Sequence, residues 1–223
     1  MQLLWILMKH AHPHNHLCSL TLLGNLVAKP DIRYLANPVV AVAEFTVATH
    51  HKWFDKNTNA KKEWTHFHTV KMIGDVVEKT LNFADKGDVV LIQGHLVDSI
   101  KTRQQIIHAT YAHTYAKGFV PSINQIKLSG VICSAIKLVE TANHKKLAEC
   151  TIRSHLSAFS PNHQTVRHLT IERTIHVWGK QAEYLVESAT VDDEIIIDGN
   201  LSYINNKDKT QLIDVQQLVL PKT

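Results

Sequence analysis

Apolar side chains along the chain recur at alternate positions in short runs, not at every third or fourth residue, and that alternation predicts strands. Runs rich in Val, Ile, Thr and Leu lie at 17–26, 39–49, 64–73, 88–97 and 105–112. Within 67–73, Phe67, Thr69, Lys71 and Ile73 share one face while His68, Val70 and Met72 share the other. The second face is the apolar one and points inward, which leaves Phe67 and Lys71 together outside. One helical stretch is predicted at 75–85, with Asp75 as its N-cap and Val76, Val77, Thr80 and Leu81 on one side.

The pattern occurs twice. Gly24 answers to Gly130, Gly74 to Gly179 and Gly94 to Gly199, at offsets of 106 (130 − 24), 105 (179 − 74) and 105 (199 − 94). Each of these glycines closes a β-branched run, so the second half reads as a repeat of the first. Its helix is expected at 180–187, ahead of a strand at 194–198. Five strands with one helix after the third is the order of an OB-fold, a small barrel that leaves few unpaired edges. The predicted architecture is therefore all-β: two tandem five-stranded OB-fold barrels, each with one short helix. The domains are expected at 17–116 and 123–221, joined by a short linker with Gly118 and Pro121 and preceded by a mobile extension, 1–16.

Composition narrows the class. Of 223 residues, 44% are hydrophobic and 20% charged, which fits a globular chain. No apolar run approaches the roughly 18–20 residues of a membrane helix. Residues 1–8 are apolar but lack the basic flank and cleavage site of a secretory signal. Cys18, Cys133 and Cys150 are odd in number and lack metal-type spacing, which points to a reduced, cytoplasmic compartment. The net charge of +4 is unevenly placed: residues 1–120 hold 13 Lys and Arg against 9 Asp and Glu, and residues 121–223 hold 11 against 11. A polyanion is drawn mainly to the first half.

The segment 49–71 interleaves bases and aromatics: His50, His51, Lys52, Trp53, Phe54, Lys56, Lys61, Lys62, Trp64, Phe67 and Lys71. With turn composition at 55–60, it reads as a long projecting hairpin. Unpaired nucleic acid needs both features, since lysines neutralise phosphates while aromatic faces stack on bases for about 1–3 kcal/mol each. Trp53, Trp64 and Phe67 could instead fill a core, although alternation argues against this for Phe67. No Walker loop, nucleophile elbow or paired catalytic carboxylates occur, so an enzyme is not expected. His10, His12, His14 and His16 alternate without a second ligand set, and His66 and His68 are read as facing opposite sides of their strand. No metal or other cofactor is expected.

Several spaced motifs resemble the bacterial single-stranded DNA-binding protein (SSB) family. They are Leu22-Leu23-Gly24-Asn25-Leu26, Lys29-Pro30-Asp31-Ile32-Arg33-Tyr34, and Ala48-Thr49 with Trp53 and Asp55-Lys56. They continue with Thr65-His66-Phe67-His68, Lys86-Gly87-Asp88 and Ile92-Gln93-Gly94-His95-Leu96, about 80 residues in all. The resemblance implies OB barrels that bind single-stranded DNA without sequence preference, in replication, recombination, repair or plasmid transfer. It places Trp53 and Phe67 at base-stacking positions, while composition and position make Lys56, Lys62 and Lys71 the expected contacts to the DNA backbone. Arg33, Lys52, Phe54, Lys61 and Trp64 complete the expected DNA-binding set. Ile73 stands where the family has a stacking Phe, and Lys101 lies near a position where some members have Trp. Trp178 answers to Ile73 in the repeat and is the candidate stacking residue of the second domain, a buried Trp being the other reading. For His68 the resemblance implies an oligomer contact, the alternative being a hydrogen-bonded core histidine. Family members present four barrels together, so two per chain implies a homodimer. The chain shows no acidic C-terminal recruitment tip and calls for no membrane partner, and RNA is not excluded as a ligand. The competing reading is an OB-fold adaptor of primosome type that acts through protein–protein contacts.

Overall fold

A computed structural model describes residues 15–55, 59–99, 104–141, 144–160, 165–204 and 209–221; of Trp53, Asp55, Phe159 and Ser160 only the backbone is described. The first half contains β1 (Cys18–Leu26), β2 (Asp31–Leu35), β3 (Val40–Asp55), β4 (Ala60–Ile73), α1 (Asp75–Leu81), β5 (Val89–Asp98) and β6 (Gln105–Tyr115). The second repeats it with β7 (Ile123–Ile132), β8 (Lys137–Glu140), β9 (Lys146–Ser160), β10 (Thr165–Trp178), α2 (Lys180–Ser188), β11 (Glu194–Tyr203) and β12 (Gln211–Val219).

Pairing closes each half on itself. β1 pairs with β3 and β5, β5 with β6, β6 in parallel with β4, and β4 with β3. The same circuit runs through β7, β9, β10, β12 and β11. These are the two expected five-stranded rings, each with a short extra strand, β2 or β8, on its long hairpin. The extra strands escape prediction because β2 buries almost nothing and β8 is exposed throughout, so neither has an apolar rhythm. Alternation places Leu20, Leu22, Val70, Met72, Ile92 and Ile107 inside the first barrel and Ile126, Leu128, Ile175, Ile195 and Ile197 inside the second.

The repeated glycines have a steric cause. A Cβ on Gly94 would lie 2.2 Å from the His108 carbonyl oxygen, and one on Gly199 would lie 2.4 Å from that of Asp214. Both mark β-bulges, where the strand bends to close the ring. Gly74 caps α1 with φ 103°, and Asp75 is the first helical residue, not the expected N-cap. Asp75 and Glu78 instead favour the helix start by placing negative charge beside the free N–H groups.

The halves are joined through backbone. Cys18–Leu23 of β1 pairs antiparallel with Ile123–Leu128 of β7, so one sheet runs from barrel to barrel. Two side-chain clusters flank this seam at positions equivalent in the repeat. On one side His68, fully buried, bonds through Nε2 to the Thr49 hydroxyl at 2.8 Å and through Nδ1 to the Tyr203 hydroxyl at 3.0 Å. On the other, Arg173 (68 + 105) is buried and paired with Asp98 (203 − 105) at 2.7 Å. Its guanidinium also donates to Gln211 Oε1 at 2.9 Å and to the carbonyls of Glu172 and Val97.

The lead-in to each barrel crosses to the other. Before β7, Asn25 Nδ2 donates to the Gly118 carbonyl and the His50 N–H donates to Ser122 Oγ. Before β1, the His155 N–H donates to His16 Nδ1 and the Ser157 N–H to Asn15 Oδ1. The last residues of the predicted mobile extension are thus docked on β9; residues 1–14, with His10, His12 and His14, lie outside the described residues.

Candidate nucleic-acid interface

The β3–β4 hairpin carries most of the predicted site and extends beyond its barrel. Register divides its side chains between two faces. Glu44, Ala48, His50, Lys52 and Phe54 on β3 lie opposite Lys71, Phe67, Thr65, Glu63 and Lys61 on β4. These form the outer face. Phe67 is 48% exposed and Phe54 54%, and Lys61 is exposed as well. Ala48 opposite Phe67 leaves one flank of the ring without a large neighbour. The expectation that Phe67 and Lys71 stand together outside, with His68, Val70 and Met72 inside, matches the structure.

The remaining predicted residues fall elsewhere. Trp64, 60% exposed, and Lys62 lie on the opposite face of the arm, so the interleaved bases and aromatics do not form one continuous row. Trp53 pairs with Lys62 in the backbone register, its side chain being outside the described residues, as are Lys56 and Lys101. Arg33 is exposed on β2, but its guanidinium is engaged by the Asp31 carboxylate two residues away. Lys52 lies 3.6 Å from Glu63 and places its ammonium 4.2 Å from the ring centre of Phe119 in the linker. His66 and His68 share a face, not opposite ones as expected, because residues two apart on a strand must; their rings are 6.2 Å apart. His68, expected at a contact between subunits, meets Tyr203 of its own chain.

Across β4, β6 and β5 the outer face continues from Lys71 to His108 and His95. The two imidazoles are 5.1 Å apart. Burial holds both below the ordinary histidine range, and His108, further lowered by His95 and Lys71, falls to about 4. Near neutral pH this row therefore offers hydrogen-bonding rings beside one ammonium group, not three cations.

The second barrel presents a different surface at the same positions. Where the first has Ala48 and Phe67, the second has Arg153 and Glu172, joined at 2.8 Å. Where the first has Glu44 opposite Lys71, the second has Glu149 bonded to His176 at 3.0 Å. A carboxylate, Glu172, thus occupies the position of the Phe67 ring, and an imidazole that of Lys71. Trp178 is 40% exposed, which settles it outside the core, with His176 edge-on at 6.3 Å. It lines an open cavity of about 470 Å³ with His144, Lys145, Lys146, Gly179, Lys180 and Glu183, where Glu183 holds Lys146. Sequence reading missed the exposed Phe119, whose only signal was an aromatic residue in a linker too short to reach a core. It also missed Arg173 and Tyr203, which the repeat offset applied to His68 and Asp98 would have located.

Two closed OB barrels on one chain, the first with a protruding basic and aromatic arm, define a class of nucleic-acid-binding protein. The single-strand binding protein family matches residues 17–115 and again 123–219, and the chain belongs to that family. Its architecture resembles that of the wild-type single-stranded DNA binding protein from Thermus aquaticus, with a TM-score of 0.74 at 18% identity over 94% of this chain and 95% of that one. A deletion and substitution variant of the same Thermus aquaticus protein matches with a TM-score of 0.76 at 19% identity, over 94% and 96% of the two chains. One half resembles the SSB of Plasmodium falciparum in its complex with single-stranded DNA, at 27% identity and a TM-score of 0.38 over 44% of this chain and 95% of that one. Among the described residues no helix is long and apolar enough to cross a membrane, and no group of three or more His, Cys, Asp or Glu is arranged to hold a metal.

Proposed function

We propose that the protein binds single-stranded DNA without sequence preference, mainly on the outer face of the first barrel, as a protective and organising factor in DNA replication, recombination or repair. The observation that carries this reading is Phe67 exposed on the same face of a closed barrel as Lys71, with Lys52, Lys61 and Phe54 farther along that face. Stacking on the rings is indifferent to base identity, and the ammonium groups follow the phosphates. Trp178 and the lysines around it give the second barrel a separate, smaller contact zone. Two chains would present four barrels, which supports a homodimer of twice 25.2 kDa. Three free cysteines suit a reducing cytoplasm.

Titration of labelled oligo-dT at several salt concentrations tests the reading. Each phosphate contact on a single strand contributes about −0.7 to the log–log salt slope, so engagement of Lys52, Lys61 and Lys71 predicts a slope of about −2 or steeper. Binding indifferent to salt, or equal for duplex and single strand, would overturn it. Sedimentation equilibrium at micromolar protein tests the dimer, and a monomer mass would remove the four-barrel arrangement.

A further inference from the structure

The linker between the barrels is not a passive tether. It lies along β3 of the first barrel, fixed on one side of Phe119 by Asn25 Nδ2, which donates to the Gly118 carbonyl at 3.0 Å. On the other side the His50 N–H donates to Ser122 Oγ at 2.9 Å. The same Asn25 amide also donates to the Gly87 carbonyl, and Lys117 lies 3.8 Å from Asp85, so the run into Phe119 is tied to the turn before β5. Between these anchors Phe119 is 67% exposed.

A single exposed phenyl ring is unremarkable by itself. Three features set this one apart. Its segment is held by hydrogen bonds, so presenting the ring to a ligand requires little further ordering. One face is covered by the Lys52 ammonium, 4.2 Å from the ring centre, which leaves the other face for a base and sets a cation beside the ring, in a half-exposed pair with Glu63 at 3.6 Å that a phosphate can displace. And Lys52 belongs to the outer face of the hairpin, the one that carries Phe54, Lys61, Phe67 and Lys71. Lys52 is four residues along β3 from Ala48, the partner of Phe67. At about 3.3 Å per residue, this displaces the linker ring from Phe67 by roughly 13 Å along the strand. Phe119 thus extends the aromatic face without duplicating Phe67.

We propose that Phe119 is a base-stacking subsite for single-stranded DNA supplied to the first barrel by the linker, with Lys52 holding the adjoining phosphate. The proposal rests on the reading of the outer face as the DNA-binding surface. It also makes the binding surface depend on the chain being a tandem protein, because the ring comes from the segment that leads into the second barrel.

The test uses the full chain, with oligo-dT and an abasic oligomer of the same length as probes. Phe119→Ala should weaken oligo-dT binding about 5- to 150-fold, the range of one lost base stack. Phe119→Tyr should bind like the parent, and the abasic oligomer should bind all three proteins equally with one salt slope. Parent-like oligo-dT binding by Phe119→Ala would overturn the subsite, as would an equal loss on both probes, since that marks a structural or purely electrostatic role. Phe67→Ala separates the two readings: if it weakens oligo-dT while Phe119→Ala does not, the outer face stands and the linker subsite falls. If the parent protein itself fails to prefer oligo-dT over duplex, the outer-face reading falls first and the subsite with it.

Discussion

The Arg173–Asp98 pair offers the sharpest quantitative test of how the two barrels are held together. Among the described residues, Asp98→Ala leaves the fully buried guanidinium with neutral hydrogen-bond partners: Gln211 Oε1 and the carbonyls of Glu172 and Val97. Breaking one side of a buried pair costs about 3–5 kcal/mol when both partners are dry. The Asp98 side chain is 41% exposed, however, so water already shares its charge and the cost is reduced to about 2 kcal/mol. For a chain of this size that corresponds to a fall in Tm of roughly 4–8 °C. Replacing Arg173 by Met in the same protein removes the stranded charge, so the double variant should lose less than the sum of the two singles. The expected coupling is about 1–2 kcal/mol. Urea unfolding followed by tryptophan fluorescence measures all four corners of the cycle, and repeating it in 1 M salt should leave the coupling largely intact because Arg173 is dry. A coupling below about 0.5 kcal/mol would show that Asp98 is held mainly by water, and the seam would then owe nothing to this ion pair.

Three further outcomes follow from the geometry. Gly94→Ala drives a Cβ to 2.2 Å from the His108 carbonyl, whereas Gly118 meets nothing closer than 3.9 Å; chemical denaturation should register a loss of about 2–3 kcal/mol for the first and almost none for the second. Burial, with help from His66, lowers His68 to about 3, and His108 lies at about 4. Between pH 6.5 and 4 the unfolded chain therefore binds protons that the native protein refuses, so stability should fall as pH drops through that window. His68→Gln should flatten the fall in a pH series of thermal melts, and an unchanged slope would contradict the assignment. Finally, Arg153→Ala combined with Glu172→Phe copies the Ala48–Phe67 arrangement onto the second barrel, and oligo-dT binding should tighten several-fold. No change would mean that Glu172 in place of a phenyl ring does not set the difference between the two surfaces.

The parts of the molecule that bury apolar surface were readable from sequence. Val70 and Met72 alternate with Lys71 because a strand must put successive side chains on opposite faces, and the structure follows that rhythm. The glycine pairs at a fixed offset reported real crowding at ring closure, as Gly94 and Gly199 show. The site was only partly legible. Interleaving along a hairpin says which residue types are near one another, but parity decides which face they share, and parity separates Trp64 and Lys62 from Phe67 and Lys71. Arg33 illustrates a second limit, since its usefulness to a phosphate depends on whether Asp31 already holds it. Contacts between the halves were hidden because they join residues more than 70 positions apart, such as Arg173 with Asp98, and no local pattern marks such partners.

The seam between β1 and β7 has an evolutionary corollary. In a dimer of identical chains, a two-fold contact must use the same residues at both ends, so any change is felt twice. Fusing two copies into one polypeptide removes that constraint. One flank here carries an uncharged imidazole and a phenol while the other carries a guanidinium and a carboxylate. The same freedom allows one barrel to specialise in gripping a strand while its sibling drifts towards other work, with no risk that the two will part.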